Sequence, residues 1–482
     1  MKKLITYIQS LAFYETLKHG SVYTIAFVVT QFISVVSLPI FTKLLQPADF
    51  GIYEVFNNTV RVLGILVSLN LFNGFYRFYF DENLDKQDLM RYVLRTSLLS
   101  FFISVLVLWL FQRPFMELVS LPTNLLAWIL LAVFANIIFN FFNTYNTAQR
   151  FSTHNRNLAN NFSIISSSNS VLFVIYWQKN YEGRIVGENL ILFILSILII
   201  IVYFRNYIGI NDHISKTHKK EILSYSVSFI PIGLSGFALG YLDTIMINNF
   251  EGSHDAGLYS YAYKFAVIYS GVTTSFITAN RPKLFELLNQ HNEAAVIAQM
   301  RSMFKMVVAL SALFIFFAAD GGKILALNKA FYDGLHLMPI LILSYIFSDI
   351  NEIYSFYFHY EKKVKYFYYS FAVSAIVNFV LNLIFIPKYG YVAAAYTTLA
   401  SYGFMMICTY LICKKIVTMR VPAAIRFVDY FIIIAIILIL NYFITFLVAN
   451  IYLQITIKAV IYLIVISYLW RNILQQFRNK LK

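Results

Sequence analysis

Charge is what this chain of 482 residues has least of: Asp, Glu, Lys and Arg together make up 13% of it, whereas hydrophobic residues make up 59%. Soluble domains carry about 25% charged residues, so the composition excludes an ordinary soluble protein. Cysteine is also rare, since only Cys408 and Cys413 occur, five residues apart in one apolar run. That pattern favours packing residues and indicates neither a disulfide nor a metal site.

Motifs of enzyme chemistry are missing as well. The sequence has no Gly-Lys-Ser/Thr phosphate loop and no Cys/His spacing typical of a metal site, and no soluble stretch is long enough to house a cofactor. We therefore expect a protein that is not an enzyme and uses no cofactor. If it transports actively, the energy must come from an ion gradient or from the substrate's own gradient, because no ATP site is predicted.

Long apolar runs fill most of the chain. A helix needs about 20 apolar residues to span a bilayer, which accepts only helices or closed barrels. Barrel strands would be shorter and would alternate. The sequence predicts an all-α polytopic membrane protein with fourteen spans, near 21–42, 56–79, 93–111, 124–146, 161–177, 184–204, 225–250, 257–280, 301–319, 331–357, 366–387, 391–413, 427–448 and 452–470.

The formal net charge of +15 is explained by topology and does not indicate nucleic acid. With the N-terminus inside, the predicted cytoplasmic segments hold 25 Lys and Arg, whereas the external turns hold seven. This is the bias of the positive-inside rule, and it predicts that both termini are cytoplasmic. Residues 1–17 lack the apolar core of a cleavable signal and are expected to form an amphipathic helix at the membrane surface.

A short motif occurs twice. Asp49-Phe50-Gly51-Ile52-Tyr53 returns as Asp255-Ala256-Gly257-Leu258-Tyr259, and at the same offset Gly187 corresponds to Ala393. Each copy is expected to close a polar turn between two apolar runs, which indicates an internal duplication. The predicted organisation is two six-helix bundles at 18–204 and 225–420, a basic connector at 205–224 and a two-helix appendage at 421–482. Duplicated bundles of this kind work by alternating access around a central cavity.

Ionisable side chains inside the spans are the most informative residues, because they usually face a cavity or a partner. One face of span 2 holds Glu54, Asn58, Arg61 and Ser68, and one face of span 8 holds Ser260, Lys264, Gly271, Ser275 and Thr278. Each half thus contributes one cation at similar depth, and Arg61 and Lys264 are expected to converge on a cavity that binds an anionic group. The alternative is two structural salt bridges, Arg61 with Glu54 and Lys264 with Asp243.

Other charged residues have competing interpretations. Arg77 ends span 2 and either joins the substrate site or extends to the interface. Asp349 and Glu352 lie one turn apart in span 10 and form a candidate H⁺ or Na⁺ coupling site. The alternative is a polar network near the cytoplasmic end of that span. Asp243 and Glu54 are further candidates for coupling or gating.

Hinge positions are predicted from proline and glycine. Pro39, Pro231 and Pro339 fall inside predicted spans 1, 7 and 10, where a proline removes a backbone bond and permits a kink. Span 7 also carries Gly233, Gly236 and Gly240, with Asp243 on nearly the same face. These glycines are either part of a moving helix or ordinary packing positions in a membrane protein.

Several loose motifs occur in a fixed order along the chain. They are Leu44-Leu45 with Asp49 to Tyr53, Gly74-Phe75-Tyr76-Arg77-Phe78-Tyr79, Pro231, Asp243, Asp255 to Tyr259, Tyr263-Lys264, and Ile386 to Ala395. In this order the chain resembles the polysaccharide-biosynthesis flippases, the O-antigen and capsule-repeat translocases of the superfamily that also contains the multidrug-extrusion (MATE) transporters and the lipid II flippase. Ala393 departs from the glycine often found in the last motif.

The resemblance implies a plasma-membrane transporter that moves an undecaprenyl-diphosphate-linked oligosaccharide to the outer leaflet, with the two cations on the diphosphate. It also implies contacts with a polymerase and glycosyltransferases. One alternative is a multidrug extruder, but that class usually has twelve spans, and Arg61 and Lys264 suit an anion better than a cation.

A second alternative is a lipid II flippase, which would carry an arginine cluster near span 1. A third is a membrane glycosyltransferase or polymerase, which would show a long external loop.

Overall fold

The computed structural model describes residues 35–149, 166–208, 212–416, 427–448 and 450–470, and within these ranges the chain forms helices and no strands. The predicted all-α class is therefore confirmed. The interfacial helix predicted at 1–17 lies outside the described residues.

Eighteen helices follow one another through these ranges. The first nine are α1 (Val35–Leu44), α2 (Pro47–Val67), α3 (Leu71–Phe78), α4 (Lys86–Leu110), α5 (Gln112–Leu118), α6 (Leu126–Ala148), α7 (166–176), α8 (Tyr181–Ile199) and α9 (Lys216–Val227). The others are α10 (Ile230–Phe250), α11 (Ser253–Ala279), α12 (Arg281–Asn289), α13 (Glu293–Leu325), α14 (Met338–Tyr360), α15 (Val364–Tyr389), α16 (Tyr391–Ile416), α17 (Phe427–Leu447) and α18 (Ile451–Leu469).

Many of these helices can cross a membrane. In the described ranges, 10 helical segments are long and apolar enough to do so, or up to 11 if the bent pair α2 and α3 is one span. The chain is therefore a polytopic membrane protein. Helix α11, at the position of the eighth predicted span, has 27 residues but is not among those segments. Predicted spans 21–42 and 161–177 lie partly outside the described residues, so the count of fourteen stays a prediction.

The chain divides into two compact units. The first takes the described residues within Phe32–Ser260 and Ala375–Ala394, and the second takes those within Tyr261–Ser374 and Ala395–Lys482. In the second unit the C-terminal helices pack on α13, where the rings of Phe304 and Tyr430 stack at 5.8 Å. The domain boundaries predicted at 205–224 and 421 were drawn from the internal repeat, whereas the two units are defined by contacts within the fold. The predicted boundaries therefore stay a prediction.

The first motif copy forms the start of α2 instead of closing a turn. Pro47 occupies the first turn of the helix, where its missing N–H costs no hydrogen bond. The Asp49 carboxylate accepts the backbone N–H of Gln46 at 3.1 Å and that of Tyr181 at 3.2 Å. The acidic residue of the motif therefore caps one helix and fastens it to the beginning of α8. The second copy likewise lies in the first turns of α11.

The glycines of the two motif copies contact each other inside the first unit. A Cβ on Gly51 would lie 1.9 Å from the carbonyl oxygen of Ser253, and a Cβ on Gly257 would lie 1.8 Å from that of Pro47. Pro47 and Ser253 each stand four residues before their glycine, so the contact is reciprocal. Glycine at both positions is what lets the two backbones approach this closely.

Helices α2 and α3 meet at an angle of 51°, so predicted span 2 is broken and not continuous. Leu69 and Asn70 both have a φ of 51° at the break. This left-handed conformation is tolerated by Asn more readily than by most residues. The break lies beside a cavity of the first unit, which Asn70 lines.

The prolines predicted as hinges lie at different kinds of position. Pro39 is inside α1, whereas Pro231 and Pro339 occupy the first turns of α10 and α14. Each of the latter two follows a change of helix geometry, at Ser228–Phe229 before α10 and at the 3-10 segment Lys329–Leu337 before α14. Pro231 and Pro339 therefore do not interrupt a regular helix, and the hinge role of all three prolines stays a prediction.

Candidate functional site

The first unit contains a cavity of about 480 Å³ beside the break between α2 and α3. This volume lies in the range of pockets that hold drug-sized ligands, about 300–1,000 Å³. The cavity is lined by Val60, Arg61, Gly64, Ile65, Asn70, Phe72, Asn136, Asn140, Gly233, Gly236, Phe237 and Tyr241. Its wall therefore combines one cation, three carboxamides, three glycines and several apolar or aromatic faces.

Small residues on α10 leave room for the cavity. Gly233 and Gly236 line it, and a Cβ on Gly233 would lie 3.1 Å from Cγ2 of Ile65. On α2, Gly64 also lines the cavity, and a Cβ built there would meet nothing within 4 Å. The glycines predicted in span 7 thus include two that form a cavity wall.

Arg61 is the charged group of this cavity. Its guanidinium carbon lies 4.3 Å from the centroid of the Tyr241 ring, and its side chain is exposed to the open space. Within the described ranges no carboxylate forms an ion pair with Arg61, so the predicted salt bridge to Glu54 is not found there. A guanidinium offers a planar set of five N–H donors that matches phosphate and carboxylate oxygens.

Asn58 forms a hydrogen bond to the same tyrosine that Arg61 contacts. The side chain is buried, and its Nδ2 donates to the carbonyl oxygen of Tyr241 at 3.3 Å. This bond joins α2 to α10 at the residue whose ring contacts Arg61. Asn58 is not among the described lining residues, and its predicted role in substrate binding stays a prediction.

The other predicted substrate residues lie elsewhere. Ser260 is buried, with its Oγ 3.3 Å from Oγ1 of Thr244. Arg77 is exposed on α3, and its guanidinium carbon lies 6.0 Å from the ring of Phe78. Lys264 is half-buried and belongs to the second unit. None of the three is among the described residues that line the cavity, and their roles in binding stay predictions.

Asp243 is buried in the first unit and accepts hydrogen bonds from two side chains. The Tyr259 hydroxyl donates to Oδ2 at 2.8 Å, and Nδ2 of Asn382 donates to Oδ1 at 2.6 Å. When its amide is oriented to donate, Asn378 reaches Oδ1 as well, at 3.3 Å. Tyr259 ends the second motif copy, and its counterpart Tyr53 donates in the same way to Glu188. Both copies thus present a tyrosine to a carboxylate.

Asp349 and Glu352 have different surroundings although they lie one turn apart. Asp349 is buried and accepts hydrogen bonds from the Tyr269 hydroxyl at 2.7 Å and from Oγ1 of Thr273 at 2.8 Å. Glu352 instead pairs with Arg281, whose Nη2 lies 2.9 Å from its Oε1. The two carboxylates therefore belong to separate hydrogen-bonded groups.

Several polar residues of the cavity and of the buried core were not singled out in the sequence. Asn136 and Asn140 line the cavity, and the available signal was their spacing of four residues in an otherwise apolar span. Lys458, to which no role was assigned, is buried and forms an ion pair with Asp320 at 2.7 Å. Nothing in the sequence indicates that two charged residues in distant spans form an ion pair.

Arg184, near the beginning of α8, has a buried side chain. Its guanidinium carbon lies 3.5 Å from the ring centroid of Tyr53, 4.0 Å from that of Phe41 and 5.0 Å from that of Phe50. Each such contact is worth about 0.5–2 kcal/mol, depending on how far the cation is desolvated. Arg184 thus joins α8 to α1 and to the first motif copy.

Helices that are long and apolar enough to cross a membrane, with a polar cavity in the first unit, define a polytopic membrane protein. The family model described as "Polysaccharide biosynthesis protein" matches residues 16–288. The chain belongs to that family, which confirms the resemblance found in the sequence. Among curated proteins, no sequence match was found.

Solved structures share the fold. The lipid II flippase MurJ in an inward closed conformation is 17% identical, with a TM-score of 0.69 over 94% of this chain and 99% of that one. An inward-facing multidrug resistance MATE family transporter of the MOP superfamily is 12% identical, with a TM-score of 0.58 over 82% and 94%. A MOP superfamily transporter from Pyrococcus furiosus, described as having a binding pocket of reverse polarity, is 13% identical, with a TM-score of 0.52 over 82% and 94%.

Proposed function

We propose that the protein is a flippase that carries undecaprenyl-diphosphate-linked glycan repeat units from the cytoplasmic to the outer leaflet of the plasma membrane. The observation that supports this proposal is the cavity of about 480 Å³ in the first unit, where Arg61 has no carboxylate ion pair within the described residues. Membership of the polysaccharide biosynthesis family supports a glycan-bearing substrate.

A cation inside a membrane protein needs water or a partner group. An arginine at the centre of a bilayer is costly, by about 2.5–3.5 kcal/mol on insertion scales, and is tolerated where it faces water or a partner. Arg61 faces a cavity and contacts the ring of Tyr241. A diphosphate would satisfy the guanidinium with charge-assisted, bidentate hydrogen bonds. Lys264 is proposed as a further cation for binding an anionic group.

Coupling to an ion gradient is part of the proposal. Asp243 is a buried carboxylate that accepts hydrogen bonds from Tyr259 and Asn382. An oxygen-rich site of this kind suits H⁺ or Na⁺, and its occupancy would bias the alternation between inward-facing and outward-facing states. Glu54, Asp349 and Glu352 are the other proposed coupling or gating residues.

The proposed setting is a bacterial plasma membrane with both termini in the cytoplasm. The exported glycan would be an O-antigen, a capsule repeat or another surface polysaccharide. Glycosyltransferases would build the lipid-linked unit on the cytoplasmic side, and a polymerase would use it on the outer side.

The decisive experiment replaces Arg61 and measures transport. We expect Arg61→Glu to lower translocation of an undecaprenyl-diphosphate-linked oligosaccharide in proteoliposomes at least about tenfold, because one hydrogen bond to a charged group contributes about 1.5–3 kcal/mol. Arg61→Lys should retain part of the rate. In cells, surface glycan should fall while its lipid-linked precursor accumulates.

Arg113→Gln is the matched control, since Arg113 is exposed on α5 and does not line the cavity. Protein levels in the membrane must be equal for all variants. If Arg61→Glu translocates the lipid as fast as the native chain, the proposed anion site is wrong.

Two related activities are tested with the same proteoliposomes. The likeness to MurJ makes a lipid II-type precursor the first competing substrate, and the likeness to a MATE transporter makes a cationic drug the second. We expect faster translocation of the glycan-linked lipid than of lipid II, and no drug efflux above that of empty vesicles. Preference for either competitor would replace the proposed substrate.

A further inference from the structure

The cavity of the first unit has a polar wall on α6 that the proposed diphosphate site does not use. Asn136 and Asn140 lie four residues apart, so both project from one face of this helix. Both are exposed in the structure although the segment Thr123–Ala148 is long and apolar enough to cross a membrane. Because both line the cavity, their carboxamides face open space and not lipid.

These two carboxamides have hydrogen-bonding capacity to spare. Nδ2 of Asn136 donates to the carbonyl oxygen of Ala132 at 2.9 Å, which leaves Oδ1 and one N–H available. The carboxamide of Asn140 makes no hydrogen bond to protein within the described part of the chain. Each side chain therefore offers an acceptor and a donor, the pair of groups that matches a sugar hydroxyl or an acetamido group.

The charge of the cavity is as informative as its amides. Arg61 is the one side chain with a formal charge among the described lining residues. A diphosphate already uses that cation. A sugar carboxylate in the same cavity would lose its hydration without gaining a charged partner, which is unfavourable.

The remaining wall suits the apolar side of a sugar ring. Phe72, Phe237 and Tyr241 line the cavity, and their ring faces are negative and attract C–H groups. Gly64 adds open space, since a Cβ there would meet nothing within 4 Å. The cavity thus has room for a ring between the amide wall and the aromatic faces.

We infer that Asn136 and Asn140 determine specificity for an uncharged sugar at the position next to the diphosphate. This inference rests on the proposed function, because it concerns the same cavity and a lipid-linked cargo. The substrate class is a neutral or N-acetylated hexose joined to the phosphate, with no acidic group on that ring. The amides bind its hydroxyl or acetamido groups while Arg61 holds the phosphate.

The test compares two defined lipids in proteoliposomes containing the full chain. One is undecaprenyl diphosphate bearing N-acetylglucosamine, and the other bears glucuronic acid. We expect the native chain to translocate the neutral lipid at least tenfold faster. Asn136→Ala with Asn140→Ala should lower the neutral-sugar rate five- to tenfold and leave binding of sugar-free undecaprenyl diphosphate unchanged.

Three further variants control for folding and chemistry. Asn143→Ala is the matched control, since Asn143 is exposed on the same helix but does not line the cavity. Asn140→Lys should raise the rate for the acidic sugar several-fold, because it supplies the missing cation. Gly64→Leu should block both lipids, because it fills space in the cavity at a position where a Cβ meets nothing within 4 Å.

The outcomes separate this inference from the proposed function. If the native chain translocates both lipids equally, or if the double alanine variant keeps the native ratio, the inference is wrong and the flippase proposal stands. If the native chain translocates neither lipid, the flippase proposal fails and the inference fails with it.

Discussion

The two compact units differ in whether a large cavity exposes some of their polar groups. The first, besides buried groups such as Asp243, leaves a guanidinium and three carboxamides lining a cavity of about 480 Å³. In the second, Lys458 pairs with Asp320, Arg281 pairs with Glu352, and Asp349 accepts bonds from two hydroxyls. A void there, between α13, α14 and α17, has about 10 Å³ and an apolar lining. Groups that face a cavity can bind a ligand, whereas groups that satisfy one another hold helices together.

This difference predicts where substitutions affect stability and where they affect transport. Removing one member of a buried pair strands the other charge, so the free energy of unfolding falls. Removing a cavity-facing group strands nothing, so the fold is kept and binding is lost. The next three predictions test this contrast, in order of decreasing effect on stability.

The largest loss is expected from Lys458→Met. Lys458 and Asp320 are both buried, with 1% and 5% of their side chains exposed. Breaking such a pair costs about 3–5 kcal/mol, because an uncompensated charge is left inside. Thermal unfolding in detergent measures the change, with Lys388→Met as an exposed control.

The double variant Lys458→Met with Asp320→Leu should regain most of that stability, because replacing a buried pair by apolar residues is often neutral. A double variant as unstable as the single one would show that the pair does more than compensate charge.

A smaller loss is expected from Asp349→Ala. The variant removes the acceptor of the Tyr269 and Thr273 hydroxyls, and a stranded buried donor costs about 1–3 kcal/mol. Tyr269 lies 3.0 Å from the Ser311 hydroxyl, which limits the loss. Asp349→Asn keeps one acceptor oxygen and should cost less. An unchanged unfolding temperature for Asp349→Ala would mean that these bonds are not part of what stabilises the second unit.

The smallest effect on stability is expected from Arg61→Gln, which removes a cation–π contact worth about 0.5–1 kcal/mol at an exposed site. The same variant should lose most of its transport. Both quantities are measured on one preparation, by thermal unfolding and by lipid translocation. If Arg61→Gln destabilises the protein as much as Lys458→Met does, the guanidinium is structural and the contrast between the units is wrong.

Much of the fold is visible in the sequence because the bilayer enforces it. The apolar runs predicted the positions of α4, α6, α13 and α15 to α18. The duplicated motif indicated that Gly51 and Gly257 are equivalent, and the structure shows that they contact each other. The break at Leu69–Asn70 was not predicted, because the predicted span 56–79 is apolar enough over its whole length to be read as one helix, although Ser68 and Asn70 lie at the break.

The candidate site was predicted only in part. A charge inside a span marked Arg61 as functional, and the cavity contains it. Asn136 and Asn140 carry no charge and were not singled out, although they line the same cavity. Asn58 was grouped with Arg61 on one helix face, but it faces the neighbouring helix and bonds to Tyr241. A helix face covers about a third of the circumference, so two residues on one face can have different neighbours, one a cavity and the other an adjacent helix.

The sequence alone determined that this chain is an all-helical membrane protein of the polysaccharide biosynthesis family, because length, hydropathy and motif order are properties of the chain itself. Tertiary structure decided which polar groups are satisfied and which are open. That outcome depends on pairs such as Lys458 and Asp320, 138 residues apart. Their meeting is set by helix packing, and no local pattern encodes it.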